Sequence, residues 1–254
     1  TTINDVVVTA TESHGVTSSS KIAKYAMEHL QPSSFADILE LLPGGMAKDP
    51  ALNAPNVISL REVPISSSDY STSSLGTSFV IDGAPISTNA NMQFMGGAWD
   101  TQTTSRDFTN SGVDMRSIST DDIQNVEIVR GIPSVEYGDL TSGLVKINRR
   151  KGGKDISARF KADMDSKLFY LSKSFMWEPS RMSLNLSADY LNSKSDPRNI
   201  LETYSRVTIS ARLNKEWVSD KRKITTSLNM DYGGSFDDDK VDPELNYGGV
   251  DKYA

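Results

Sequence analysis

Apolar and polar side chains alternate along much of the second half of this chain, and that alternation limits the possible folds more than any other feature. Successive side chains of a β-strand point to opposite faces, so a period of two predicts strands with one apolar and one polar face. A less regular run, residues 168–177, brings the prediction to about five strands. The apolar members of the four regular segments are Ile156, Ala158, Phe160, Ala162 and Met164; Met182, Leu184, Leu186, Ala188 and Tyr190; Val207, Ile209, Ala211 and Leu213; and Ile224, Leu228, Met230 and Tyr232.

The connections between these strands bear on two architectures. One is a soluble β-sandwich with the apolar face inside, and the other is a membrane barrel with that face toward lipid. Residues 178–180 and 219–222 make short connections, whereas residues 192–204 make a long one, and this asymmetry is typical of outer-membrane barrels. Aromatic residues near the strand ends also fit an interfacial belt. They are Trp177, Tyr190, Trp217 and Tyr232.

Composition and charge argue against several functions. Hydrophobic residues make up 37% of the 254 residues, and the formal net charge is -6. Nucleic-acid binding needs a basic face, so no nucleic-acid partner is expected. The chain has no cysteine and only two histidines, His14 and His29, so we expect no cofactor and no metal site. The acidic run at residues 237–239 lacks the spacing of an EF-hand and is interpreted as a solvated loop.

Motifs of membrane helices, leaders and enzymes are also missing from the sequence. No apolar run of about 18 residues predicts a transmembrane helix. Residue 1 is not followed by the basic and then apolar segments that are typical of a signal peptide. No nucleophile elbow, phosphate-binding loop or zinc-protease motif appears, and no pair of carboxylates is distinguished by its setting. We therefore do not expect an enzyme.

The first half of the chain predicts a mixture of helices, strands and long loops. Residues 18–31 carry apolar side chains at helical spacing, and residues 33–45 repeat the pattern behind a capping pair, Ser34 and Asp37. Residues 56–61 predict a strand.

Two further regions predict strands joined by turns or loops. Asp82-Gly83 lies between two apolar runs in residues 79–86, which is a signal for a tight turn. Residues 125–129 and 144–147 are rich in β-branched residues and flank a loop that contains glycine and proline.

Four of these stretches resemble, in the same order, the motifs of the plug domain of TonB-dependent outer-membrane receptors. They are SFADILELLPGG from Ser34, NVISLR ending at Arg61, FVIDGAPI around Asp82, and VEIVRGIPS with EYG and SGLVKI between Val126 and Ile147. The chain departs from the family pattern at four positions. It has Glu62 and Ser142 in place of glycines, an inserted Ile132, and Lys146 in place of an asparagine.

The resemblance implies a fold class and a domain organisation. We expect an α+β plug domain, a small mixed β-sheet with short helices and long loops, followed by antiparallel β-strands of an incomplete outer-membrane β-barrel. The expected segments are a TonB-box-like terminus (residues 1–17), the plug domain (residues 18–152) and about five barrel strands (residues 153–254). Outer-membrane transporters with plugged lumens have about 22 strands, so we expect the rest of the barrel to be missing. The uncovered apolar face then favours self-association.

The resemblance also implies a function and partners. Plug domains of this family face the periplasm inside receptors of the cell outer membrane that take up siderophores, cobalamin or oligosaccharides, with energy supplied by TonB. By this resemblance Arg61, Glu127 and Arg130 contact the barrel, and a terminal segment docks as a strand on the C-terminal domain of TonB. The residues that are similar to the TonB box are Asp5, Val6, Val7, Val8, Thr9 and Ala10.

The sequence allows two interpretations of one loop, and it also allows a second interpretation of the whole chain. An apolar cluster in a polar, glycine-containing loop either contacts the nutrient ligand or fixes the loop to its own domain. The alternative for the chain is a non-transporting periplasmic or cell-surface binding module of α+β plus β-sandwich type, with its apolar face buried within the chain. The cluster consists of Met92, Phe94, Met95 and Trp99.

Overall fold

The computed structural model of the chain describes residues 11–12, 18–42, 58, 60, 76–87, 112–113, 115–130, 134–138, 143–162, 166–194, 202–219 and 222–239. These residues divide into two units, one that ends at Arg149 and one that starts at Arg150. Each unit contains one β-sheet. Within the described ranges, no helix has the length and apolar character needed to cross a membrane.

Six strands of the first unit form one mixed sheet. They are β1 (Thr11–Glu12), β2 (Ser18–Ala23), β3 (Thr77–Ile81), β4 (Ala84–Pro85), β5 (Ile123–Arg130) and β6 (Gly143–Arg149), and their order in space is β1-β2-β5-β6-β3-β4. β3 pairs with β6 in parallel, and the other neighbouring pairs are antiparallel. The strands predicted at residues 125–129 and 144–147 are confirmed as parts of β5 and β6.

The helix predicted over residues 18–31 is wrong in its first six residues. These residues form β2, and helix α1 covers only Lys24–Leu30. β2 pairs with β5 from Ala23 opposite Asn125 to Ser18 opposite Arg130. This pairing supplies the backbone hydrogen bonds that a helix would otherwise make, so the tertiary partner overrides the local helical spacing.

The second predicted helix is correct at its start and too long at its end. Helix α2 spans Phe35–Ile38 and continues as a 3-10 helix, Leu39–Leu41, and another 3-10 helix spans Met115–Ser117. The predicted capping pair is present, because Ser34 Oγ accepts the N–H of Ala36 and Asp37 Oδ2 accepts the N–H of Ser34.

The strand predicted at residues 56–61 is not found where the structure describes that stretch. Ile58 lies outside any strand, and Leu60 lies in a bend. Ile58 is buried in the core, so its apolar character serves packing of an irregular segment rather than a strand. The other residues of the predicted strand lie outside the described ranges.

One face of this mixed sheet carries the main hydrophobic core. Phe35 of α2 meets Phe79 of β3 edge to face, with ring centroids 5.8 Å apart. Each such side chain contributes about 1.5–3 kcal/mol when it is fully buried. The buried core residues are Ile22, Ala26, Met27, Phe35, Ile38, Ile58, Phe79, Val113, Met115, Ile118, Ile123, Val126, Ile128, Val145 and Ile147.

Five strands of the second unit form one antiparallel sheet, as predicted. They are β7 (Ile156–Ala162), β8 (Ser166–Trp177), β9 (Met182–Ser193), β10 (Glu202–Ser219) and β11 (Arg222–Asp239). They lie in the order β11-β10-β9-β8-β7, so each strand pairs with its neighbour along the chain. β10 and β11 pair over 18 residues each, from Glu202 opposite Asp239 to Ser219 opposite Arg222. The acidic run at residues 237–239, interpreted as a loop, therefore lies in the last part of β11.

Candidate functional site

Two of the residues predicted to act in binding lie in the described part of the chain, both on β5. They are Glu127 and Arg130. The other predicted site residues lie outside the described ranges: Arg61, the terminal segment Asp5, Val6, Val7, Val8, Thr9 and Ala10, and the cluster Met92, Phe94, Met95 and Trp99.

Arg130 ends β5 on the face that carries the main core. Its Nη2 donates a hydrogen bond of 3.0 Å to Ser20 Oγ on the neighbouring strand β2. Ser20 is fully buried, so this contact places a polar group of β2 where the guanidinium can reach it. The sequence interpretation missed Ser20 because it assigned residues 18–31 to a helix. Residues 18–20 are all serine, so the sequence shows no alternation that would mark Ser20 as the buried one.

Glu127 faces the opposite side of the sheet from Arg130. The two residues are three positions apart on one strand, so their side chains point to opposite faces. Glu127 Oε2 lies 4.0 Å from Lys146 Nζ on β6, and this ammonium group lies 4.7 Å from the centroid of the Tyr137 ring. Lys146 therefore joins a carboxylate and an aromatic ring at the position where the family pattern has asparagine. The structure does not bring Glu127 and Arg130 together.

Gly143 begins β6 at a point where no side chain fits. A Cβ atom there would lie 2.7 Å from the carbonyl oxygen of Val129 and 2.7 Å from Leu60 Cδ1. The Leu60 methyl group can move, but the Val129 carbonyl belongs to the paired strand β5 and cannot. Close backbone approach therefore explains the glycine of the SGLVKI run.

Asp82 combines a tight turn with an ion pair. Asp82 and Gly83 have φ values of 51° and 90°, which is the left-handed pair that a two-residue turn between β3 and β4 requires. The Asp82 carboxylate is fully buried, and its Oδ2 lies 2.7 Å from Arg149 Nε. Its Oδ1 accepts the main-chain N–H of Arg149 at 2.9 Å. The motif therefore fixes the last residue of β6 as well as the turn.

In the second sheet the apolar face is exposed, whereas polar side chains of β8, β9 and β10 on the other face are buried. On the apolar face Phe160, Met230 and Tyr232 are 70%, 65% and 70% exposed. On the polar face Arg206 donates a hydrogen bond to Asp189, and both side chains are almost completely buried. A soluble β-sheet shows the reverse pattern. The alternative hypothesis of a β-sandwich predicted a buried apolar face, and the described strands contradict it.

The described residues do not gather the groups that metal binding needs. Within the described ranges, no three His, Cys, Asp or Glu side chains lie close enough together to hold a metal ion. The polar contacts that the motif residues make join strands of the sheet, as Arg130–Ser20 and Asp82–Arg149 show. These contacts hold the strands of the first sheet together.

A comparison with protein families assigns residues 12–145 to the TonB-dependent Receptor Plug Domain. That match covers more than half of the 254 residues. The chain belongs to the TonB-dependent receptor plug family. Comparison with curated proteins finds no match.

Two solved structures show the same fold as this TonB-dependent receptor chain. The siderophore receptor PirA from Acinetobacter baumannii matches 87% of the chain with 18% identity and a TM-score of 0.56. The alcaligin outer-membrane receptor FauA from Bordetella pertussis matches 87% with 19% identity and a TM-score of 0.52. The chain covers 32% of each of these proteins, about a third of their length.

The family assignment accounts for the positions of the plug motifs. The motif from Ser34 starts α2, the motif around Asp82 makes the β3–β4 turn, and the motif from Val126 to Ile147 supplies β5 and β6. The predicted fold class is confirmed: an α+β plug domain is followed by antiparallel strands of a barrel that the described strands do not close.

Proposed function

We propose that this chain is the plug, with the opening barrel strands, of a TonB-dependent receptor that takes up a nutrient across the outer membrane. Energy comes from TonB, and the plug faces the periplasm. The observation that carries the proposal is the second sheet, whose apolar face is exposed while polar side chains of β8, β9 and β10 on its other face are buried. Such strands suit a wall between lipid and a polar lumen. In this proposal, residues 12–145, which match the plug family, block that lumen.

The proposed nutrient is a siderophore. Cobalamin and oligosaccharides are the two alternative classes of nutrient. PirA is a siderophore receptor and FauA an alcaligin receptor by description, which favours the siderophore. The ligand contacts proposed are those of the loop cluster Met92, Phe94, Met95 and Trp99. We propose that Arg61, Glu127 and Arg130 contact the barrel. The proposed domain organisation is a TonB-box-like terminus (residues 1–17), the plug domain (residues 18–152) and the barrel strands (residues 153–254).

The TonB contact proposed is the terminal strand Asp5–Ala10. This segment directly precedes β1, whose Thr11 and Glu12 pair with Lys21 and Ser20 of β2. β1 is an edge strand of the mixed sheet, so a partner that adds a strand at residues 5–10 applies its force at that edge. Backbone hydrogen bonds supply the affinity of such a contact.

Titration with the C-terminal domain of TonB tests the proposed function. Two deletions provide the comparison, one of residues 1–10 and one of residues 1–4. Both leave β1 intact, but only the first removes the docking strand. We expect the shorter deletion to bind as the parent chain does and the longer deletion to lose at least about tenfold in affinity, equivalent to 1.4 kcal/mol. Equal affinity for all three chains would refute the docking strand and with it the coupling to TonB.

A further inference from the structure

The segment that enters the second sheet is held by side chains of the sheet's polar face. We call residues 150–155 the junction segment. At its start, Arg150 Nη2 donates to Ser172 Oγ on β8 at 2.8 Å. At its end, the carbonyl oxygen of Asp155 accepts the N–H of Ser174 at 3.0 Å. Both contacts lie within the second unit, and both bring the segment onto β8.

Asn185 on β9 makes the most specific of these contacts. Its Oδ1 accepts the main-chain N–H of Gly152 at 3.0 Å, and its Nδ2 donates to the carbonyl oxygen of Gly152 at 2.9 Å. The same Nδ2 donates to Ser174 Oγ at 2.7 Å. The amide therefore binds both polar groups of one residue of the junction segment, as a neighbouring strand would.

The chemistry of this contact requires an amide side chain. The main chain of Gly152 offers an N–H donor and a carbonyl acceptor side by side. An amide side chain can bind both, because it carries an acceptor oxygen and a donor NH2 group. A carboxylate would still accept the Gly152 N–H, but it would face the Gly152 carbonyl oxygen with a second oxygen. Asn185 is 2% exposed, so its polar atoms depend on these protein partners rather than on water.

We propose that Asn185 is the positioning residue that fixes the junction segment to β8 and β9, so that any displacement of the plug ends at Gly152. The hydrogen bonds of Asn185 support the anchor directly. The role of this anchor under force rests on the proposed function. Force applied at residues 5–10 would travel through the plug sheet to Arg149 and be resisted at Gly152. The strands from β7 onward would then keep their places while the plug moves.

Trypsin cleavage tests the anchor, because the junction segment contains a susceptible bond between Lys151 and Gly152. A protease needs several residues in extended, accessible form, so cleavage reports local opening of the segment. The chain is kept in detergent micelles, and cleavage at this bond is followed by mass spectrometry. The variants are Asn185→Leu and Asn185→Asp. The matched control is Asn192→Leu, which removes an asparagine of the same strand that binds Ser205 Oγ.

We expect both Asn185 variants to be cleaved at this bond about tenfold faster than the parent, since two hydrogen bonds to Gly152 are lost or weakened. Asn192→Leu is expected to match the parent. Ser174→Ala, which leaves Gly152 bound but removes the third partner of Asn185, should give an intermediate rate. It keeps the test open if the Asn185 variants fail to fold. Parent-like cleavage of all folded variants would overturn the proposal.

Amide exchange and TonB binding separate the anchor from the proposed function. The Gly152 amide should exchange faster in Asn185→Leu, which removes its hydrogen-bond acceptor, than in the parent, and an unchanged rate would overturn the anchor. The C-terminal domain of TonB should bind Asn185→Asp and the parent equally. If TonB binds neither chain, the proposed function fails while the cleavage result still decides the anchor.

Discussion

Asp82 accepts two hydrogen bonds from Arg149, one from its main-chain N–H at 2.9 Å and one from its Nε at 2.7 Å. The two residues are 67 positions apart, and the pair joins the β3–β4 turn to the last residue of β6. The Asp82 side chain is completely buried. Removing its charge takes the Asp82 carboxylate away from the guanidinium group of Arg149, which is 11% exposed.

Asp82→Asn is therefore expected to lower the free energy of unfolding by about 2 kcal/mol, because the neutral amide keeps one hydrogen bond but not the ion pair. Asparagine also tolerates the positive φ, so backbone strain does not add to the effect. Thermal unfolding in detergent measures the change. Glu28→Gln is the control, because it removes the exposed i,i+4 pair with Lys24 and should cost at most about 0.5 kcal/mol. Equal losses in the two variants would contradict the role of Asp82.

Gly143→Ala is expected to cost about 2–3 kcal/mol of unfolding free energy, since the added Cβ meets the Val129 carbonyl oxygen at 2.7 Å. Gly138→Ala is the matched control, because a Cβ at that position meets no atom within 4 Å. Urea unfolding of both variants checks the difference. A similar midpoint for the two alanine variants would show that β5 and β6 can separate to admit the methyl group.

The exposed apolar face predicts how the chain behaves without detergent. We propose that the isolated chain then self-associates through this face, since apolar surface of this extent favours contact with another copy. Phe160→Ser and Met230→Ser together remove two of its most exposed side chains, at about 1–2 kcal/mol each. Sedimentation at falling detergent concentration should show smaller assemblies for this double variant. Ser187→Ala on the buried polar face is the control, and a monomeric parent chain in detergent-free buffer would refute the proposal.

The turn after β8 predicts a pH-dependent contact. A side-chain hydrogen bond from Lys154 lowers the pKa of Glu178, and the charge of Lys154 adds to the effect. The Lys154 Nζ–Glu178 Oε1 distance is 2.6 Å. Because the pKa is lower in the folded chain, the contact stabilises fully above the ordinary pKa of a glutamate. Its contribution is lost as the pH falls through the lowered value. NMR titration of the Glu178 carboxyl carbon should show the low midpoint, and Lys154→Met should return it toward the ordinary value.

The strands of the second sheet could be predicted from sequence because their pattern is local. Each strand alternates along its own residues, and each pairs with the next strand along the chain. β2 could not be found in this way. Its partner β5 is distant in sequence, since Ser20 and Arg130 are 110 positions apart, and the local spacing of apolar residues fitted a helix.

The candidate site was predictable in its motifs rather than in its contacts. The strand predicted at residues 125–129 contained Glu127 but stopped one residue short of Arg130, which ends β5. The partners Ser20 and Lys146 depend on the order of strands in the sheet, which the motifs do not contain. The Asn185–Gly152 contact likewise follows from the fold of a glycine-containing segment against β8 and β9.

The parallel pairing of β3 with β6 has a consequence for synthesis. β2 pairs with β5, and β3 pairs with β6. Both β2 and β3 leave the ribosome before these partners, since β5 begins at Ile123 and β6 ends at Arg149. A nascent chain that stops short of Ile123 holds neither partner strand, so β2 has no sheet to join. The backbone groups of β2 that pair with β5 must bind water or a chaperone until Arg130 has been synthesised, and those of β3 that pair with β6 must do so until β6 is complete.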